Sequence, residues 1–149
     1  AIKKSGCLYI IIRTAWLYSG YGHNFVKTIS RLASERDELN VVSDQWGTPT
    51  YAGDLAEAII SIMERDDLPE LEGVYHFTNE GACTWYDFAK EIVALTGANC
   101  KVNPVTTEEY PSKVKRPAYS ILDKTKIKET FNLEIRDWRE ALKSCMATF

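Results

Sequence analysis

The residues best suited to bind a charged ligand stand where predicted elements begin or end. Arg13-Thr14-Ala15-Trp16 follows Leu8–Ile12, an apolar segment whose pattern predicts a buried parallel strand. Open α/β sheets bind ligands at the carboxyl ends of their strands, so these four residues are candidates for a binding site. Asn24 begins a predicted helix, whose unpaired N–H groups and positive dipole end suit a diphosphate. A plain N-cap explains Asn24 equally well.

A basic segment later in the chain is a second candidate for anion binding. Lys113, Lys115 and Arg116 lie within residues 99–122, a proline-containing stretch that reads as irregular. Their ammonium and guanidinium groups could clamp a phosphate. A solvated loop is the alternative, and it explains the two lysines better than it explains Arg116.

A glycine-rich loop precedes the first predicted helix and invites a dinucleotide-binding interpretation. Gly20-Tyr21-Gly22 follows a strand and precedes a helix, as such a fingerprint does. The third glycine should fall at position 25, where Phe25 stands, and a bulky ring removes the close helix–strand packing that glycine allows. We therefore expect no cofactor-binding residue in this chain.

Tyr86 and Lys90 lie one helical turn apart, the spacing of the catalytic pair in short-chain dehydrogenases. In those enzymes the lysine lowers the pKa of the tyrosine, which donates the proton. Here the pair follows the last predicted strand of the sheet, Gly73–Thr78, whereas a catalytic helix should precede a central strand. We interpret both as surface or packing residues and expect no catalytic residue in this chain.

Metal and redox chemistry are poorly supported by the cysteines and histidines. The four cysteines are Cys7, Cys83, Cys100 and Cys145. They form no Cys-x-x-Cys pair, and with only His23 and His76 a zinc site would need an improbable long-range arrangement. Small buried thiols in a reducing compartment are the simpler reading, so we expect a cytoplasmic protein without a metal site.

Composition bounds the remaining classes of function. The chain has 149 residues, of which 45% are hydrophobic and 26% charged, as in an ordinary globular domain. A net charge of −3 argues against a nucleic-acid partner. The longest apolar run, Tyr9–Ile12, is far shorter than the ~20 residues of a membrane span, so we expect no membrane partner.

The order of predicted elements indicates an α/β fold with an incomplete sheet. Strands are predicted over residues 8–12, 39–42 and 73–78, and helices over residues 24–33, 55–63, 84–97, 123–131 and 135–146. Residues 13–23 read as a loop. Only two of the strands look central, and too few neighbours remain to enclose them. Ile2–Gly6 also resembles the last turn of a helix, so we expect the C-terminal part of a larger protein; a small complete α+β domain is the alternative.

Five motifs in order make the chain recognisable. They are Arg13–Tyr18 (RTAWLY), Gly22–Val26 (GHNFV), Asp44–Thr50 (DQWGTPT), Thr84–Ala89 (TWYDFA) and Arg116–Leu122 (RPAYSIL). The series strongly resembles the C-terminal half of the dTDP-4-dehydrorhamnose reductase family, which are extended short-chain dehydrogenases/reductases. The resemblance covers nearly the whole chain. It implies the C-terminal part of a Rossmann-like fold with the smaller substrate-binding region.

The resemblance also implies a reaction, the NADPH-dependent reduction of dTDP-4-dehydro-L-rhamnose to dTDP-L-rhamnose. In the family, the glycine-rich NADPH loop and the catalytic Tyr-x-x-x-Lys lie upstream of the strand that matches Leu8–Ile12. Residues 1–149 are therefore expected to be a single C-terminal fragment that lacks the cofactor-binding half. NADPH would be bound mainly by that half, and the fragment alone is expected to be inactive.

The resemblance assigns substrate-binding roles to four residues. The family's substrate-contacting tryptophan matches Trp16, and Asn24, Gln45 and Arg116 match positions that we place around the nucleotide and diphosphate. Some relatives carry an acidic residue near Gly53 that could help bind a metal, which glycine cannot do.

A non-catalytic function is the alternative that the resemblance leaves open. The regulatory β subunit of methionine adenosyltransferase has the same fold and uses it to bind a partner.

We also expect the incomplete sheet to leave apolar surface exposed, which favours self-association.

Overall fold

The computed structural model describes residues 1–110, 114 and 116–148. The strands are β1 (Ile10–Arg13), β2 (Leu17–Tyr18), β3 (Glu38–Val42), β4 (Trp46–Gly47), β5 (Thr50–Tyr51), β6 (Gly73–His76), β7 (Cys83–Thr84) and β8 (Lys101–Val105). The helices are α1 (Phe25–Glu35), α2 (Ala52–Met63), α3 (Trp85–Thr96), α4 (Thr125–Phe131) and α5 (Trp138–Met146). Short 3₁₀ turns cover Ile2–Lys4 and Leu68–Leu71. Within these residues, no helix is both long and apolar enough to cross a bilayer.

The strands form partial sheets of two strands each across the part of the chain that the structure describes. β1 pairs in parallel with β6, β2 with β5, and β3 with β8, whereas β4 pairs antiparallel with β7. Parallel pairing with helical crossovers confirms the predicted α/β class, and the two-stranded sheets confirm that the sheet is incomplete.

The larger hydrophobic core lies between α1, α3, α5 and the β3–β8 pair. Phe88 and Ile92 of α3 are fully buried, and so are Val26 of α1 and Trp138 of α5. Phe88 has four aromatic neighbours, with ring centroids 5.5 Å away for Tyr18 and Phe25, 5.6 Å for Trp138 and 6.5 Å for Trp85. We call this cluster the first core. Three helices and the β3–β8 pair supply these side chains, and the centre of the first core is fully buried.

The smaller core lies between β1, β6, α2 and α4, and we call it the second core. Tyr75, Phe77, Ile127 and Phe131 are buried in it. The strand β1 is only half-buried, although three isoleucines in a row predicted a buried strand.

One side of the second core is open. An apolar groove of about 440 Å³ separates β1 from α2, and it is lined by Leu8, Ile10, Ile12, Ile59 and Met63. We call these residues the β1–α2 face. Met63 is 69% exposed and Leu8 64% exposed. Although the helical spacing of α2 predicts one apolar face, part of that face therefore meets solvent.

The prediction that residues 99–122 are irregular is wrong at its start, where β8 runs beside β3. Pro104 lies inside β8 and pairs in register with Val41. Proline lacks an N–H group and is tolerated only on edge strands or at bulges. β8 has β3 as its one strand partner among the described residues, so Pro104 costs the sheet no hydrogen bond on its open side.

Side-chain bonds confirm two of the predicted helix starts, whereas α2 begins at Ala52 and α4 at Thr125 without a side-chain cap. The Asn24 side chain accepts the Lys27 N–H and caps α1, and Thr84 and Asp87 form the expected reciprocal capping box of α3. The last helix begins three residues later than predicted, because Asp137 caps it, and Ile135 packs against the second core instead. The predicted loop over residues 13–23 contains the two-residue strand β2.

Candidate functional site

A groove of about 580 Å³ lies between α1, β3, the first turn of α3 and the loop after β8. That volume falls within the range of small-molecule sites, roughly 300–1,000 Å³. Its walls combine aromatic rings, from Phe25 and Trp85, with polar groups from Gln45, Thr107 and Arg116. The groove thus brings together two of the four predicted substrate-binding residues, Gln45 and Arg116.

Gln45 is held in place by a bonded cluster at the edge of the groove. The side chain is 6% exposed, and its Nε2 donates to Oγ1 of Thr107 at 3.0 Å. The Thr107 hydroxyl in turn donates to Asp44 Oδ1 at 2.6 Å, and the Thr107 N–H donates to Asp44 Oδ2 at 2.9 Å. These bonds hold the pKa of the Asp44 carboxyl below its usual value. The cluster fastens the loop after β3 to the loop after β8.

Arg116 reaches the groove from a segment whose backbone is anchored to β4. Its side chain is exposed. Immediately beyond it, the Trp46 N–H donates to the Ala118 carbonyl at 2.8 Å, and the Ser120 N–H donates to the Trp46 carbonyl at 2.9 Å. A guanidinium group presented in this way can bind a phosphate through two parallel hydrogen bonds. Lys113 and Lys115, the other predicted cations, lie outside the described residues.

Trp16 lies behind the groove, stacked on Trp85. The two ring centroids are 3.5 Å apart and the planes differ by 11°. Trp16 is half-buried and has a φ of 49°, in the left-handed region that bulky residues rarely adopt. It follows β1 at the carboxyl end of the strand, as predicted, but it does not itself line the groove.

Asn24 is placed at the N-terminus of α1 and outside the groove lining. Its Oδ1 accepts from the Lys27 N–H at 3.1 Å, and its Nδ2 donates to the carbonyls of Ser19 at 2.7 Å and Tyr21 at 3.3 Å. Each polar atom of the amide thus has a local partner. The neighbouring Phe25 reaches the groove instead.

Tyr86 and Lys90, which we interpreted as surface or packing residues, lie outside the groove lining. Lys90 is exposed, with its ammonium group 5.3 Å from the centre of the Tyr86 ring, and Tyr86 packs against the first core. Phe25, at the third position of the glycine pattern, packs its ring 4.6 Å from Trp85 and 5.5 Å from Phe88. The space that a third glycine would leave open is therefore filled by side chains.

The described part of the chain holds neither a cluster of metal ligands nor a thiolate at Cys83 or Cys145. No group of three or more His, Cys, Asp or Glu residues there could hold a metal ion. Burial raises the pKa of the Cys83 thiol to about 12 and that of Cys145 to about 11. Both remain protonated thiols at neutral pH, whereas the thiolate is the nucleophile and metal ligand.

Sequence reasoning missed three residues of the site. Trp85 and Phe25 lie within two of the five motifs but were given no binding role, because aromatic residues on helices usually belong to the core. Thr107 carried no local signal at all, since its partners Asp44 and Gln45 lie more than 60 residues away in sequence.

This chain is similar to several known proteins. The family model of the RmlD substrate binding domain matches residues 1–149. A dTDP-4-dehydrorhamnose reductase of Aggregatibacter actinomycetemcomitans is 47% identical over 146 residues, which cover 93% of this chain and 50% of that protein. The spore coat polysaccharide biosynthesis protein SpsK of Bacillus subtilis is 47% identical over 133 residues, covering 89% of this chain and 45% of its own length.

A solved structure has the same fold. It is the dTDP-4-dehydrorhamnose reductase of Bacillus anthracis in complex with NADP, with a TM-score of 0.92 and 39% identity, and the match covers 99% of this chain and 51% of that one. The chain therefore spans about half the length of the relatives that it matches.

Proposed function

Because this chain belongs to the RmlD substrate-binding-domain family, we propose that it is the nucleotide-sugar-binding portion of an NADPH-dependent dTDP-4-dehydrorhamnose reductase. The observation that carries the proposal is the groove beside Phe25 and Trp85, which collects Gln45 and Arg116 on a fixed framework. Aromatic walls and a few convergent polar groups are what a nucleotide needs.

Within the groove, each side chain suits one part of a nucleotide sugar. The Arg116 guanidinium would bind the diphosphate, whose charge it matches. Gln45 would bind the pyrimidine base or the sugar hydroxyls through the amide oxygen, because its Nε2 already donates to Thr107. Phe25 and Trp85 provide flat apolar surface for the base or the deoxyribose. Asn24 would contribute through the N-terminus of α1, since its own amide is used locally.

Trp16 would contact the sugar that is reduced. It stands at the carboxyl end of β1, the edge of the sheet where ligands of open α/β folds bind. A flat indole can cover the apolar face of a deoxysugar and hold its ketone in place. Positioning of this kind accelerates a reaction by fixing the reacting atoms in line.

The residues of this chain do not fit the diphosphate of a nicotinamide cofactor. The loop at Gly20 and Gly22 lacks a third glycine, and the Phe25 ring fills the corresponding space between Trp85 and Phe88. We infer that NADPH is bound mainly by protein outside residues 1–149. The open β1–α2 face, which exposes Leu8 and Met63, is where that cofactor-binding part would pack. A cytoplasmic location agrees with this biosynthetic role and with four free cysteines.

A reductase assay tests whether residues 1–149 can carry out the reduction on their own. The purified chain is mixed with NADPH and dTDP-4-dehydro-L-rhamnose, and the absorbance of the reduced nicotinamide is followed. We expect no turnover by residues 1–149, and turnover by the complete protein that contains them. Turnover by this chain alone would contradict the proposal and would make Tyr86 and Lys90 candidate catalytic residues. Binding without turnover in the complete protein would instead favour a regulatory subunit.

A further inference from the structure

Trp16 adopts its left-handed backbone conformation because several groups hold it there. The Thr50 N–H donates to the Trp16 carbonyl at 3.1 Å, and the Thr50 hydroxyl donates to the Ala15 carbonyl at 2.7 Å. A side chain at Gly47 would clash with the Trp16 indole, so glycine leaves the space that the ring needs. Unfavourable backbone conformations persist only where the surroundings determine them several times over, and they cluster at functional sites.

Trp85 supplies the last of these restraints, and it is itself rigidly mounted. It is the first residue of α3 and lies between the two members of the capping box, in which Thr84 Oγ1 accepts from the Asp87 N–H at 3.1 Å and the Thr84 N–H donates to the Asp87 carboxylate at 3.0 Å. The Phe25 ring lies 4.6 Å away, tilted against it. The capping box thus fixes the backbone that carries Trp85, and Phe25 packs against its indole.

Trp85 contacts both the groove and the Trp16 ring. It lines the groove, and its ring stacks on Trp16, which does not line the groove. A ligand in the groove thus touches the same indole that fixes the plane of Trp16. We propose that Trp85 is a positioning residue whose indole holds the Trp16 ring against the sugar. A nucleotide bound in the groove would contact the same indole, which links nucleotide binding to the position of Trp16. This rests on the proposed function, in which Trp16 contacts the sugar.

Circular dichroism reports on the indole pair directly. Two stacked indoles couple their electronic transitions and give an exciton couplet. We expect the couplet in this chain and in Trp46→Phe, which removes an exposed indole outside the pair. It should be lost in Trp85→Phe, whose ring still fills the site beside Phe25. Absence of the couplet from the unsubstituted chain, or its persistence in Trp85→Phe, would overturn the proposal.

Calorimetry then measures how much the indole pair contributes to binding of the sugar. The quantity is the ratio of the affinities for dTDP-L-rhamnose and dTDP, which isolates the contribution of the sugar. We expect that ratio to fall roughly three- to tenfold in Trp85→Phe, the range that one aromatic contact supplies. Gly47→Ala, which places a methyl group in the space of the Trp16 indole, should lower it similarly.

The outcomes separate the two claims. If neither nucleotide binds the unsubstituted chain, the proposed function fails and the role of Trp85 fails with it. If both bind, and Trp85→Phe abolishes the couplet but leaves the ratio unchanged, the proposed function stands and the positioning role is refuted.

Discussion

The two cores of this chain differ in how completely they are enclosed. Helices α1, α3 and α5 cover the first core, where Phe88, Ile92 and Trp138 have no exposed surface. The second core leaves β1 half-buried beside an apolar groove, with Leu8 and Met63 more exposed than buried. Soluble proteins rarely leave contiguous apolar surface uncovered without a partner for it.

The proposed binding and reduction steps depend on different regions of the molecule. The groove with Gln45 and Arg116 is built on elements of the first core, so its shape does not depend on the open side of the second core. Nucleotide binding should therefore be a property of this chain, whereas reduction should require what covers the β1–α2 face.

The same truncation should cost more in the first core than in the second. Phe88→Ala removes a ring enclosed by Phe25, Tyr18 and Trp138, and we expect a loss near the upper end of ~3–5 kcal/mol. Phe131→Ala, which touches Tyr75 in the open core, should cost nearer the lower end, because that site can collapse. Urea unfolding of both variants measures the difference. Equal losses would mean that the second core is as well packed as the first.

Removing a cation should weaken nucleotide binding only at the groove. We expect Arg116→Ala to lower the affinity for dTDP roughly ten- to hundredfold, since a hydrogen bond to a charged group contributes ~1.5–3 kcal/mol. Arg65→Ala is the matched control, because Arg65 pairs with Asp67 beside the second core. Calorimetric titration of both variants decides the matter. A loss shared by both would indicate non-specific charge attraction.

An ion-pair cluster should make the second core sensitive to acid. Glu80 binds Lys128 at 2.8 Å and Lys124 at 3.3 Å, joining α4 to the loop before β7. Partial burial raises the pKa of Glu80, but the bonds to the lysines outweigh it and lower the pKa below its usual value. The stabilisation is therefore present above the unfolded pKa and disappears as the pH falls through the folded one.

Glu80→Gln should thus destabilise the chain at neutral pH, by about 1 kcal/mol or less because the pair is partly solvated. The gap from the unsubstituted chain should close as the pH falls below the ordinary range of a glutamate. Glu129→Gln, an exposed position on α4, should show neither effect. Thermal melts across a pH series measure both, and a gap that widens in acid would refute the assignment.

The smallest effect on stability should accompany a clear effect on association. Met63→Ser places a hydroxyl on the exposed β1–α2 face, so its cost should stay within about 0.5 kcal/mol. It should nevertheless reduce the self-association of the chain, as measured by sedimentation at several concentrations. Leu95→Ser on α3, at the side of the first core, is the control that should leave association unchanged. A compact monomer in all three chains would count against the open-face interpretation.

Local signals predicted the helices well and the site only in part. The cap at Asn24 and the box at Thr84 are encoded within four residues, so sequence alone located α1 and α3. The strand β8 was missed because Pro104 is acceptable only on an edge strand, and edge position is a property of the whole sheet.

The residues of the groove could likewise be predicted only in part from the sequence. Gln45 and Arg116 were recognisable from their motifs, but Thr107 became visible only when its bonds to the loop after β3 were known. The stack of Trp16 on Trp85 joins residues 69 positions apart, and no periodicity connects them. Contacts at such separations depend on tertiary packing.

Titration of residues 1–149 with dTDP and, separately, with NADPH tests the central claim most directly. We expect dTDP to bind and Arg116→Ala to weaken that binding, because the groove is built on elements of the first core. We expect NADPH not to bind, since Phe25 fills the space that a cofactor loop would need. Saturable binding of NADPH with no heat from dTDP would contradict the account, because the chain would then hold the cofactor site and lack the substrate site.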